Sequence, residues 1–373
     1  MDEEEKKYYL AFSVFQGIGP LRFKLLLDYF GSAKEAYFAS SSCLEKIGLS
    51  EKIVSSFVVF RKTFNPDSYF IRLLKEKIVA FCSEEKNYPK ILKEIKDKPI
   101  VIYVKSLLSI TELAELLSRP AIAVVGARKI TGYGRQATEM ITRRLAEAGL
   151  TIVSGLALGV DRVAHESALL IKGKTVAVLG HGLDMVYPSQ NKDLAERIIL
   201  EGSVLLSEFP LGLKPFRGSF PARNRIISGL SLGVVITEAA EDSGSLITAS
   251  YAADQGREVF AVPGPITSPL SAGTAGLIQK GAKLVYRAED ILEELGIKTS
   301  NMVKASSASN EMKIDLSEDE KKILTALEFE NLHINELSRK TGMEIKKIGG
   351  LLSILEIKSI IKCLGEGVYG REN

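Results

Sequence analysis

This chain of 373 residues is poor in the side chains that most metal, redox and disulfide chemistry needs. Cys43, Cys82 and Cys363 lie far apart with no Cys-x-x-Cys pair, which argues against a disulfide framework, a zinc ribbon and a redox couple, and fits a reducing cytoplasm. The three histidines, His165, His181 and His333, form no His-x-His or His-Glu-x-x-His spacing, so a zinc enzyme is not expected. No apolar run reaches the roughly 18 residues of a membrane span. The acidic start, Met1-Asp2-Glu3-Glu4-Glu5, is opposite in sign to a secretory leader, so neither secretion nor a membrane partner is expected. Charge of one sign is also missing. With a net charge of +3, any affinity for nucleic acid must come from a local patch.

Several motifs are absent where a nucleotide enzyme would carry them. After the first predicted parallel strand stands Gly126-Ala127-Arg128 in place of Gly-x-Gly-x-x-Gly, and Gly180-His181-Gly182 runs on to Met185 where the third glycine belongs. Gly173-Lys174-Thr175 mimics the end of a P-loop, but Ala168 replaces the leading glycine and a strand follows. Gly-x-Ser-x-Gly is missing, which leaves Ser154, Ser243 and Ser245 as helix caps or phosphate donors rather than nucleophiles. No cofactor is therefore expected.

What the chain does have is periodicity. With 46% hydrophobic residues it is a folded protein of two or three domains. From Pro120 to Gly296, apolar runs alternate with amphipathic segments of helical length, which predicts an α/β fold on a parallel sheet. The predicted strands are Ala121 to Val125, Thr151 to Ser154, Thr175 to Leu179, Val204 to Ser207, Val234 to Thr237, Glu258 to Val262 and Lys283 to Tyr286. Residues 1–65 read as a small helical domain whose Gln16-Gly17-Ile18-Gly19-Pro20 turn resembles a helix-hairpin-helix, and 66–119 read as a connecting region that contains the apolar strand Ile100 to Val104. The sheet domain spans 120–297. A Ser-, Ala- and Asn-rich linker follows at 298–315, and 316–373 carry three helical patterns and a hairpin, the outline of a winged helix. Its recognition helix offers Lys346 and Lys347 but no Arg, Asn or Gln for base edges.

Each predicted strand ends in a turn bearing glycine, serine or arginine, and that edge of an open sheet is where ligands bind. The candidate residues are Gly126, Ala127 and Arg128, Ser154 and Gly155, Gly180, Arg223, Asn224 and Arg225, and Ser243, Gly244 and Ser245. Glycine amides, helix N-termini and the arginines suit phosphates. Tyr133, Tyr187, Phe216 and Phe220 are placed to stack on bases or simply to pack the rim, and Lys192 opens a helix beside them. Glu238 stands where a nucleotide glycosidase would need a carboxylate or where neighbouring arginines would need a partner. Asp161 and His165, four apart on one helix, are expected to form a surface pair.

Taken together, VVGARKITGYGR (Val124 to Arg135), SGLALGVDRVAH (Ser154 to His165), AVLGHGLDMVYPSQN (Ala177 to Asn191), SEFPLG (Ser207 to Gly212), FPARNRIISGLS (Phe220 to Ser231), TEAAEDSGSLITA (Thr237 to Ala249) and GREVFAVPG (Gly256 to Gly264) resemble the DprA/Smf family of DNA-processing proteins. The resemblance implies an extended Rossmann-like core with no enzymatic activity. It implies binding of single-stranded DNA without strong sequence preference, a homodimer through the sheet domain, and recruitment of the recombinase RecA in natural transformation. The family's Gly-Ser-Arg turn falls on Gly126-Ala127-Arg128, with alanine replacing serine. A second departure is Ala275, where the family usually has asparagine. A nucleoside-monophosphate glycosidase is the rival from another class, although its PGGxGTxxE motif is missing. A ligand-sensing transcriptional regulator is a third reading.

Overall fold

The structure, a computed structural model, describes residues 1–297, 317–327, 331–358, 360–365 and 367–371. The predicted linker at 298–315 lies outside the described residues. The chain divides into two compact units, Met1–Met302 and Val303–Asn373.

In the first unit, six helices come first: α1 (Glu3–Val14), α2 (Pro20–Phe30), α3 (Ala33–Phe38), α4 (Ser41–Lys46), α5 (Glu51–Thr63) and α6 (Pro66–Lys75). Side chains of Asp2, Ser32, Ser40 and Asn65 cap four of them, accepting from amides that would otherwise lack partners. The helices pack on aromatic rings, with Phe12 at 5.0, 5.2 and 6.0 Å from Phe23, Phe57 and Tyr37.

The segment read as a connection contributes two strands, β1 (Ile78–Cys82) and β2 (Val101–Lys105), with α7 (Lys90–Lys93) between them and α8 (Ile110–Leu116) after them. The alternation then runs β3 (Ala121–Val125), α9 (Gly132–Glu147), β4 (Thr151–Ser154), α10 (Val160–Leu170), β5 (Thr175–Leu179), α11 (Lys192–Leu200), β6 (Val204–Ser207), α12 (Ser219–Gly229) and β7 (Gly233–Ile236). It continues through α13 (Ser245–Asp254), β8 (Glu258–Ala261), α14 (Ala272–Gln279), β9 (Lys283–Leu284) and α15 (Ala288–Glu294). β9 stops two residues short of expectation because the amides of Tyr286 and Arg287 turn to the Asp290 carboxylate instead of a neighbouring strand. Ala275, the second departure from the family pattern, lies exposed within α14.

Together the strands form one nine-stranded sheet in the order β1-β2-β6-β5-β4-β3-β7-β8-β9. From β6 to β9 every pairing is parallel, while β1 and β2 join antiparallel. β3 to β7 are buried along their whole length, as strands covered by helices on both faces must be. Ile141, Leu145, Ala164 and Ile291 cover one face, and Leu113, Ile226, Ile227 and Ala252 the other. Strand order reverses between β3 and β7, which opens a crevice at their carboxyl ends.

The N-terminal helices are joined to this sheet by a common core. Tyr103 on β2 is fully buried with its hydroxyl 2.5 Å from Ser13 on α1, and Leu211 donates its amide to Tyr69 on α6 at 3.1 Å.

In the second unit, α16 (Glu318–Ala326), β10 (Leu332–His333), α17 (Ile334–Thr341), α18 (Ile345–Ile357), β11 (Ile361–Gly365) and β12 (Val368–Arg371) form a winged helix. Its sheet order is β10-β12-β11, and its core includes Ile323, Leu337, Ile348, Leu352 and Ile361.

Candidate phosphate-binding cleft

A cleft of about 510 Å³ lies at the switch point. Its walls are the turns after β3 (Gly126 to Lys129) and after β7 (Ser243 to Ser245), the loop after β4 (Ala157, Asp161), and the start of α12 with its lead-in (Arg217, Phe220, Arg223, Asn224). The amino termini of α10, α12 and α13 belong to this same set of segments, so the positive ends of three helix dipoles converge on one space. Arg128, Lys129 and Arg217 are exposed, and among the described residues no carboxylate pairs with them. The Arg128 guanidinium lies 5.8 Å from the Phe220 ring centre, and that ring is 5.7 Å from Tyr187. The Arg128 cation thus lies over the Phe220 ring of the wall, and Tyr187, outside the cleft and 49% exposed, meets that ring at a tilt of 39°.

Below the cleft floor the charges serve the fold. Arg223 is 5% exposed and donates to the carbonyls of Gly155, at 2.7 Å, and Val178. Burial brings its pKa down to about 10, so it stays charged at neutral pH. Asp161 accepts from the amides of Gly155 (3.1 Å) and Ala157 (3.3 Å). Burial raises its pKa, against the pull of Arg223 and those amides. A side chain at Gly155 would meet the Arg223 guanidinium at 2.6 Å, so this position must stay bare. His165 donates or accepts at Thr175 (2.7 Å) rather than pairing with Asp161. Both residues face inward, which corrects the expected surface pair. Burial, then Arg223, lower the His165 pKa to about 3.

Of the residues singled out in the sequence, the cleft gathers Gly126, Ala127, Arg128, Asp161, Phe220, Arg223, Asn224, Ser243, Gly244 and Ser245. The others stand elsewhere. Arg225 points away and is held by Glu208 and, at 3.1 Å, by Asp97. Ser154 is buried and donates to the Val124 carbonyl at 2.7 Å. Gly155 and Gly180 are buried behind the wall, Lys192 is exposed at the start of α11, and Phe216 is 48% exposed. Tyr133 lies outside the cleft with its hydroxyl on the Pro263 carbonyl at 2.5 Å. Glu238 partners no arginine. Its two oxygens take the amide and hydroxyl of Thr131 at 2.9 and 2.6 Å, which pins the turn before α9. Lys129, Arg217, Ile247, Thr248 and Leu270 line the cleft without having stood out; Arg217 lies two residues before α12, in a lead-in that does not directly follow a strand. Among the described residues no cluster of His, Cys, Asp and Glu could hold a metal ion, and no helix is long and apolar enough to cross a membrane.

Comparison with known proteins agrees with this geometry. The family model of DNA recombination-mediator protein A matches residues 79–296, and that of the DprA winged helix domain matches 307–367. The protein Smf of Synechocystis sp. is 38% identical over 79% of this chain and 74% of its own length. The X-ray structure of DNA processing protein A from Streptococcus pneumoniae superposes with a TM-score of 0.67 at 35% identity, covering 79% of this chain and 98% of that one. A Helicobacter pylori structure of DNA processing protein A, solved for its single-stranded DNA binding mode, gives 0.52 at 33% identity, covering 59% and 95%.

Proposed function

The chain belongs to the DNA recombination-mediator protein A family, and on that premise we propose that it binds single-stranded DNA without regard to sequence, shields incoming strands and helps load the RecA recombinase on them in natural transformation and recombination. The observation that carries this reading is the cleft, where Arg128, Lys129 and Arg217 stand without a carboxylate partner among the described residues, beside helix amino termini and the Phe220 ring with its neighbour Tyr187. Cations and amides of this kind hold phosphates, and exposed rings accept unstacked bases of any identity. A duplex keeps its bases stacked, so the single strand is the preferred form. The role is one of binding without catalysis, carried out in the cytoplasm. A homodimer through the sheet domain would place two clefts on one strand. The open edge at β9, with Leu284 and Tyr286 47% and 63% exposed, supports such an association.

The test is titration of a labelled oligonucleotide, single-stranded against duplex, over a salt series. About four neutralised phosphates give a slope of log affinity against log salt near −3 for single strands. A flat slope or a duplex preference would overturn the reading.

A further inference from the structure

We propose that Asn191 is a positioning residue for the cleft: its side chain fixes the loop after β4, and that loop fixes the turn carrying Arg128. The inference rests on reading the cleft as the single-strand site. Asn191 precedes α11, outside the cleft, and is fully buried. Its Nδ2 donates to the carbonyls of Leu156 (2.9 Å) and Ala157 (3.1 Å), and its Oδ1 accepts from Arg162 at 3.3 Å. Asp161 takes up the amides of Gly155 and Ala157 from the other side. Two side chains from different elements thus hold both kinds of backbone group in one short loop.

That clamp is needed because Leu156 sits at φ 55°, a left-handed conformation that a leucine keeps only when its surroundings impose it. The constraint then passes to the Arg128 turn. Val160 donates its amide to the Ala127 carbonyl at 3.1 Å. Gly159, at φ 77°, lies so close to the carbonyls of Ala127 and Arg128 that a Cβ there would collide with both. If Asn191 releases the carbonyls, Leu156 relaxes to an ordinary φ, residues 157–160 shift, and the Ala127–Arg128 backbone loses its support.

Asn191→Asp keeps the shape and replaces the donor by an acceptor facing two carbonyls. The experiment measures single-strand affinity of the full chain, of Asn191→Asp, of Arg128→Ala and of the double variant, with amide exchange followed by mass spectrometry. Acting through Arg128, Asn191→Asp costs about tenfold in affinity alone and under about twofold in the Arg128→Ala background, the non-additivity of residues that work as one unit. Exchange should quicken in 154–160 and 126–131 and stay unchanged elsewhere. Equal losses in both backgrounds, wild-type affinity, or lost protection across the whole sheet would each overturn the proposal. If the unsubstituted protein fails to bind single strands, the functional reading falls, while exchange in 126–131 still decides whether Asn191 holds the turn.

Discussion

In the strand-end cleft Arg128, Lys129 and Arg217 are exposed without carboxylate partners among the described residues, whereas the winged-helix unit engages several of its lysines internally: Lys347 pairs with Asp319 and Lys358 with Glu320, each at 2.6 Å. Those lysines, hydrogen-bonded to the carboxylates, hold Asp319 and Glu320 below the usual range. The two regions carry similar side chains and offer a phosphate very different surfaces. A sequence count of basic residues does not separate them. What separates them is where the acidic residues fall in three dimensions. The same contrast recurs inside the first unit, where Arg223 and Arg225, adjacent to the cleft in sequence, are drawn into the fold by carbonyls and by Glu208 and Asp97.

The sharpest way to break this contrast is Arg223→Met. Removing this buried guanidinium leaves the Gly155 and Val178 carbonyls without their donor and Asp161 with only its amide partners, and the expected loss of stability is about 3 kcal/mol, read by urea unfolding. Wild-type stability with lost DNA binding would move Arg223 to the phosphate-contacting group.

Next in size, Arg128→Ala should weaken single-strand binding by about ten- to a hundredfold, the range for a hydrogen bond to a charged group, equally for all sequences. The salt slope should also flatten by about 0.7. A loss confined to some sequences would contradict phosphate contact.

Acid should act on the sheet unit through His165. Its pKa is about 3 in the fold against 6.5 in the unfolded chain, so below pH 6.5 the unfolded state binds the proton first. Stability therefore falls as pH drops from about 6.5 towards 3, by up to about 1.4 kcal/mol per pH unit from this residue. Urea midpoints at pH 7 and pH 5 check this, and His165→Gln should narrow the gap between them.

The smallest effect is expected from Lys346→Ala combined with Lys347→Ala, which should leave single-strand affinity within about twofold because the Lys347 charge is already paired. A loss comparable to that of Arg128→Ala would erase the distinction between the two regions.

Much of the architecture was legible because strands buried on both faces must be apolar throughout, and β3 to β8 are bounded by turn residues that the sequence displays openly. β1 was missed because five apolar residues following the amphipathic α6 look like another helical turn. The turns Gly126-Ala127-Arg128 and Ser243-Gly244-Ser245 were legible as parts of one site, since both follow strands at the switch point. Burial of Arg225 was not, because its partners Asp97 and Glu208 are remote in sequence. The Glu238–Thr131 contact was hidden for the same reason, as it joins residues 107 positions apart.

The bond between Ser13 and Tyr103 has a consequence for where the gene can be cut. A truncation at residue 65, at the boundary suggested by composition, would strip the covering from Tyr103 and from the sheet residues Leu179 and Leu205 that share its core. The first five helices are therefore a fixed part of the sheet unit, hard to lose without unfolding it. The winged helix differs in that its core is built from its own residues, so a cut there leaves that core whole.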